Sequence, residues 1–259
     1  MKKKVVLYGA LALMSYLIFM VVLIPADRLY GLAKERLPFA LYQLDGTLWK
    51  GSASVVTFNQ GSQRLEAVKW ELQPAALLMG RAQATVKFRY DNRAVSVTVG
   101  RSLSALYLHD FNGRMTAATI EQFSPPPAIG LKGVIDVDLS ELSMSGSEWV
   151  AVNGVVRWRN AGLDLNNTTL GSFELTLTTV DGKINGVVKE TDGPLKVNGT
   201  LLLRPSGEYL FAGTVELRDK QRNDLRQGLR FIGTPNAQGV YTIKYQGQLP
   251  MSRLAPFAG

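Results

Sequence analysis

Cysteine is absent from the 259-residue chain, and histidine occurs once, as His109. The first absence excludes disulfide support, thiolate zinc sites, iron–sulfur clusters and a cysteine nucleophile. The second leaves no set of imidazoles for a metal cage and a single base for any serine triad. Also missing are G-x-G-x-x-G, the phosphate-binding P-loop, G-x-S-x-G and H-E-x-x-H. No catalytic residue, cofactor or metal is expected. Disorder is excluded in turn, since 46% of the residues are hydrophobic and 19% charged.

What is present begins with charge. The net charge is +8, which resembles a nucleic-acid signal until its location is read. Lys2, Lys3 and Lys4 precede residues 5–24, VVLYGALALMSYLIFMVVLI, an uncharged apolar run. Twenty residues of helix rise roughly 30 Å, the thickness of a bilayer's hydrocarbon core. By the positive-inside rule, residues 1–4 are cytoplasmic, 5–24 form a transmembrane signal anchor, and residues 25–259 lie on the far side of the membrane. The run is longer than a cleaved signal's apolar core, and it closes on Pro25-Ala26-Asp27 rather than on a small-residue cleavage site. Beyond Lys4, 26 basic residues stand against 21 acidic ones, in short mixtures such as Arg218-Asp219-Lys220-Gln221-Arg222. That is a solvated surface, and no nucleic-acid partner is expected.

After the run, Asp27 to Leu37 reads as a short amphipathic helix with Leu29, Leu32 and Leu37 near one face, stopped by Pro38. From Leu41 the dominant period is two. A loose repeat then appears, a glycine followed by apolar residues two and four positions on. It runs through Gly133 (Ile135, Val137), Gly154 (Val156, Trp158), Gly171 (Phe173, Leu175), Gly199 (Leu201, Leu203) and Gly213 (Val215, Leu217), with a shortened copy at Gly186. Such a phase marks antiparallel strands with one buried and one wetter face. The ten apolar residues named are the candidate core or groove face. Turn signals separate the copies: Asp181-Gly182, Asp192-Gly193-Pro194 and Ser206-Gly207. Short helices are expected over Pro74–Met79, closed by Gly80, and from Asn223 to Phe231 with Leu225 and Leu229 on one face. Ser124-Pro125-Pro126-Pro127 is a stiff connector that could divide the sheet into halves 41–124 and 128–259.

Chemistry is sparse. His109-Asp110 has the composition of a base and its orienter, but no serine is tied to it, so a structural or surface histidine is expected. Asp136 and Asp138 share the wetter face of one strand and read as solvated carboxylates. Asn166-Asn167-Thr168 and Asn198-Gly199-Thr200 match glycan acceptors, relevant where the host glycosylates exported proteins.

One stretch is distinctive. Gln43-Leu44-Asp45-Gly46-Thr47-Leu48-Trp49-Lys50-Gly51-Ser52-Ala53 is followed by Val68-Lys69-Trp70-Glu71-Leu72-Gln73-Pro74-Ala75-Ala76-Leu77-Leu78-Met79-Gly80. A G-T-x-W-x-G-x-A strand followed by W-x-L-x-P-x-x-L-L-x-G resembles the protein N family of the bacterial type II secretion system. Val152-Asn153-Gly154 to Ala161, Asp192-Gly193-Pro194-Leu195, Leu229-Arg230-Phe231-Ile232-Gly233 and Tyr245-Gln246-Gly247 follow in the order that family shows. The resemblance covers nearly the whole chain, and G-T-x-W-x-G also suits the wider AsmA-like proteins.

The resemblance implies a non-catalytic accessory protein of the bacterial inner membrane, acting in the periplasm. Its implied partners are other secretion components, namely the inner-membrane platform or the secretin. The alternative is a lipid-binding or lipid-transfer module of AsmA-like type, with an apolar groove. Gly46, Thr47, Trp49, Gly51, Trp70, Pro74 and Gly80 carry the signature and read as structural, the tryptophans packing on the sheet and the glycines permitting close turns. The fold expected is mainly β: a single N-terminal transmembrane helix, then an extended, curved antiparallel β-sheet domain with a few short helices.

Overall fold

The computed structural model describes residues 8, 11–16, 19–20, 22–37, 39–58, 63–90, 93–121, 130–164, 168–219, 221–230 and 233–249. Period-two alternation places successive side chains on opposite faces of an extended backbone, and from residue 39 it produces strands. These are β1 (Phe39–Gly46), β2 (Lys50–Phe58), β3 (Gln63–Leu72), β4 (Ala82–Tyr90), β5 (Arg93–Arg101), β6 (Leu106–Thr116) and β7 (Leu131–Ser145). The rest are β8 (Glu148–Leu163), β9 (Thr168–Val180), β10 (Lys183–Asp192), β11 (Leu195–Leu203), β12 (Glu208–Leu217) and β13 (Val240–Gln248). Among the described residues beyond the N-terminal apolar run, the α-helices are α1 (Ala26–Ala33), α2 (Pro74–Leu78), α3 (Ala117–Glu121) and α4 (Asn223–Arg230). The 13-stranded sheet runs in sequence order from β1 to β13, and the pairs with a described register are antiparallel. The mainly β, antiparallel expectation is met, as are the short helices.

Turn chemistry sets the register. Between β9 and β10 the connection is Asp181-Gly182, at φ of 50° and 69°. Two residues at positive φ make the turn whose twist matches that of the strands it joins. Elsewhere single residues bulge out of the ladder. Ala67, Asp110 and Asn160 have φ of 49°, 54° and 50°. They coincide with register shifts in the β3–β4, β5–β6 and β8–β9 pairs.

The chain forms two compact units, residues 1–94 and 95–259. In the first, Ala53, Val56 and Val68 form the buried centre, with Phe39, Phe58, Trp70 and Val86 packed around it. Helix α1 belongs to this unit, followed by a single tight turn over Lys34–Arg36. One expectation is corrected here. Leu29 and Leu37 face inward, but Leu32 is 86% exposed. At 100° per residue, Ala26, Leu29, Tyr30 and Ala33 cluster on one side of α1 and Leu32 falls well off it, while Leu37 reaches the same side from the extended segment after the Lys34–Arg36 turn.

In the second unit two buried clusters form on the sheet. Leu225 and Leu229 of α4 pack onto Leu195, Val215, Leu217 and Tyr241. Val152, Ile184 and Leu203 make the other, with Leu142, Trp149, Leu177 and Tyr209 around them. The connector Ser124–Pro127, Phe231 and Asn166-Asn167 lie outside the described residues.

Of the apolar run 5–24, residues 8, 11–16, 19–20 and 22 are helical, and their side chains are exposed. The remainder of that run up to residue 21 lies outside the described residues. Among the described residues, no helix is long and apolar enough to cross a membrane.

Candidate interaction surfaces

The signature residues gather at one end of the first unit. Gly46 closes β1 at φ 84° opposite Gly51, and a Cβ there would stand 2.9 Å from the Gly51 Cα. Thr47 then turns the chain: its N–H donates to the Lys50 carbonyl at 2.9 Å, and its hydroxyl accepts the Lys50 N–H at 3.3 Å. Trp70 is the cross-strand neighbour of Gly51, and its indole lies on the space a side chain would take; a Cβ on Gly51 would be 2.8 Å from Trp70 Cε2. The indole N–H donates to the Leu48 carbonyl at 3.0 Å. Half-buried Trp49 lends its carbonyl to the Leu72 N–H at 2.7 Å. Pro74 opens α2, where its missing N–H costs no hydrogen bond, and Gly80 follows the helix at φ 71°.

Beneath α1 lies a cavity of about 400 Å³. Leu29, Ala33 and Leu37 line it from above, and Leu44, Leu65 and Val86 from the strands. Its two polar side chains are already used. The Tyr30 hydroxyl accepts the Leu41 N–H at 3.0 Å, and Trp70 is spent on Leu48. The cavity therefore offers hydrocarbon contact and little else. Neither the volume nor the inward Tyr30 was read from the sequence. The signal for its roof was the 26–29–30–33–37 spacing, which a pattern restricted to leucines passes over.

In the second unit the register brings all ten candidate core or groove residues onto one face. Ile135 lies opposite Trp158, and Trp158 opposite Phe173. The next row is Val137, Val156, Leu175, Val188, Gly199 and Gly213 across consecutive strands. Leu201 stands between Gly186 and Phe211, Leu203 between Ile184 and Tyr209, Val215 between Val197 and Tyr241, and Leu217 opposite Leu195. Ile135, Leu203, Val215 and Leu217 are buried, whereas Val137, Val156, Trp158, Phe173, Leu175 and Leu201 are half-buried. The glycines let neighbours lie flat: a Cβ on Gly199 would be 2.6 Å from Phe211 Cζ. At the α4 end of this face, Glu190 binds two partners. It accepts the Val197 N–H at 3.0 Å and the Arg218 guanidinium at 2.6 Å. Burial pushes its carboxyl up, but its own backbone N–H, that of Val197 and Arg218 together hold it below the ordinary glutamate range. Sequence inspection passed over Glu190, whose partners are 7 and 28 residues away.

The opposite face is polar. Arg114, Asp136, Arg157, Glu174, Lys189, Asn198, Thr214 and Thr242 form one row from β6 to β13. Asp136 is held by Arg114 and, at 2.9 Å, by Arg159, while Arg157 pairs with Glu174 at 2.8 Å. These carboxylates are neutralised by guanidinium groups, and among the described residues no cluster suits a metal ion. The His109 ring lies tilted against that of Tyr107, centroids 5.1 Å apart, and its Nδ1 lies 3.3 Å from the Ser140 carbonyl. Asp110 is carried away from it on an exposed bulge. The pair holds no base-and-orienter geometry.

The family profile of type II secretion system protein N matches residues 39–244, from the start of β1 into β13. The chain belongs to the type II secretion system protein N family. Among its relatives, the protein N of Aeromonas hydrophila is 29% identical over 260 residues, covering 96% of this chain and 100% of that relative. The protein N of Vibrio cholerae is 27% identical, covering 95% of this chain and 100% of the relative. No solved structure matches the chain. As a protein N family member it is a component of the secretion apparatus in the bacterial cell envelope, and not an enzyme.

Proposed function

We propose that this chain is a membrane-anchored assembly component of the type II secretion system. Residues 1–4 stay in the cytoplasm, residues 5–24 cross the inner membrane once, and residues 25–259 form a periplasmic β-domain that contacts other secretion components. The observation that carries this reading is the family match across 39–244, spanning nearly the entire strand series. The anchor is supported by Leu11, Met14 and Phe19, helical residues 64%, 63% and 62% exposed, whose side chains are matched to lipid rather than water. Outer strands of a sheet carry unpaired N–H and C=O groups, which suit docking of another chain. A photo-crosslinking residue in place of exposed Lys50 is expected to trap a platform component or the secretin in intact cells. If deleting the protein leaves both the assembled complex and exoprotein release unchanged, the reading fails.

The cavity under α1 supports a second reading, a lipid-handling module. A cavity of about 400 Å³ without free polar groups suits an acyl chain, whereas ~150 Å³ takes only a ring the size of benzene. Native mass spectrometry of the full chain is expected to retain a phospholipid that Ala33→Phe displaces. A chain that carries no lipid, with or without the substitution, excludes this reading.

A further inference from the structure

Helix α2 leaves a run of large apolar side chains in the open. Of its five residues only Ala76 is buried. Leu77 is 43% exposed, Leu78 91% and Met79 70%. Three consecutive exposed apolar residues have an unfavourable hydration cost that nothing among the described residues of the first unit offsets. The run is not scattered at random on that unit. The loop joining β1 to β2 is bonded on one side to the end of the N-terminal apolar run: Leu48 N–H donates to the Ile24 carbonyl at 3.3 Å, and Pro25 bridges Thr47. On its other side it is bonded to the residue two before α2, through Leu72 N–H and the Trp49 carbonyl at 2.7 Å. Leu48 at the loop's tip is itself 36% exposed. The point where the apolar run ends is thus separated from α2 by the width of β2 and β3, ~10 Å.

We infer that Leu77, Leu78 and Met79 insert into the periplasmic leaflet of the membrane that residues 5–24 cross, as a second and shallow lipid contact. The inference rests on the anchored reading. If the run emerges from the bilayer at Ile24, the loop bonded to it has no spacer, and α2 lies at headgroup depth. Apolar residues on a surface helix enter about 5–10 Å into that boundary. Arg81, exposed and without an ion-pair partner among the described residues, stands immediately after the tip, where anionic headgroups would meet it. With the run and the tip both held, the first unit has a fixed tilt on the membrane rather than free rotation about one tether.

The lack of cysteine makes the test direct. Single cysteines at Phe19, Leu78 and Asp181 carry an environment-sensitive fluorophore in the full chain. The chain is reconstituted in phosphatidylethanolamine–phosphatidylglycerol vesicles containing lipid-attached nitroxides. The expected result is deep quenching at position 19, shallow quenching with blue-shifted emission at 78, and neither at 181. Leu77→Asp combined with a label at Met79 is expected to lower quenching to the level of position 181 while the circular-dichroism spectrum is unchanged. Two results overturn the inference and leave the anchor intact: position 78 behaving like 181 while 19 is quenched, or position 78 shielded without nitroxide quenching, which points to a protein contact. Solvent-like behaviour at position 19 overturns the anchored reading and this inference with it.

Discussion

The two compact units use the same material, strands that are apolar on one face, and close that face differently. Over residues 1–94, α1 presents Ala26 and Ala33 beside Leu29 and Tyr30, and it stands off the sheet enough to leave about 400 Å³. In residues 95–259, α4 drives Leu225 and Leu229 directly among Leu195, Val215, Leu217 and Tyr241. A helix stabilises a sheet through what it buries, and here one buries leucines while the other roofs a space. The first arrangement leaves room for a ligand at the expense of packing; the second does the reverse.

The largest effect expected from breaking this comparison is at α4. Leu225→Ala should lower the stability of the second unit by about 2–5 kcal/mol, read from the urea midpoint. Leu29→Ala, bordering a space already open, should cost markedly less; equal losses would show that the two roofs are equivalent. Next comes the signature hairpin, where Gly51→Val pushes carbons into the Trp70 ring. A loss of about 1–3 kcal/mol is expected from that overpacking, with recovery on adding Trp70→Leu.

A comparable loss of about 1–3 kcal/mol is expected for Glu190→Gln, since charged hydrogen bonds to Val197 and Arg218 weaken together. Its pH dependence has a definite sign. The folded-state carboxyl titrates below its unfolded value, so its contribution is present above the unfolded value and disappears as pH falls through the folded one. Unfolding curves of the wild type and the variant should therefore converge in acid. Filling the cavity should act in the opposite direction. Ala33→Leu is expected to raise stability by about 0.5–2 kcal/mol in thermal unfolding, without change to the second unit. The smallest effect belongs to the surface at α4. Hydrogen bonds from Arg222, with help from the backbone N–H groups of Leu225 and Asp224, hold the Asp224 carboxyl down to about 2, and Arg222→Ala should move its NMR titration upward, toward the ordinary aspartate range.

The sequence carried the strands because their signal is local. A glycine with apolar residues at fixed offsets states which face each side chain occupies, and the register of Val137, Val156, Leu175 and Gly199 follows from many such statements agreeing. Pro74 and Gly80 likewise announce a helix within seven residues. The cavity was not legible because it depends on distance between α1 and the sheet, which no offset encodes. Leu32 lies off the inward face because that face is completed by Ala26, Tyr30 and Ala33, which a stripe of leucines alone leaves out. Glu190 has no local signal, because its partner Arg218 is 28 residues away and approaches only once β10, β11 and β12 are aligned.

Sequence-order pairing has one more consequence, in time rather than in space. Each strand in these units pairs with the strand before it in sequence, so no crossover between distant strands has to form during folding. A chain emerging N-terminus first can extend its sheet strand by strand, never waiting for a distant segment, with one growing edge exposed at any moment. For a protein without disulfides to lock in partial products, such an order of assembly limits the interval in which an unpaired strand can be captured by the wrong partner.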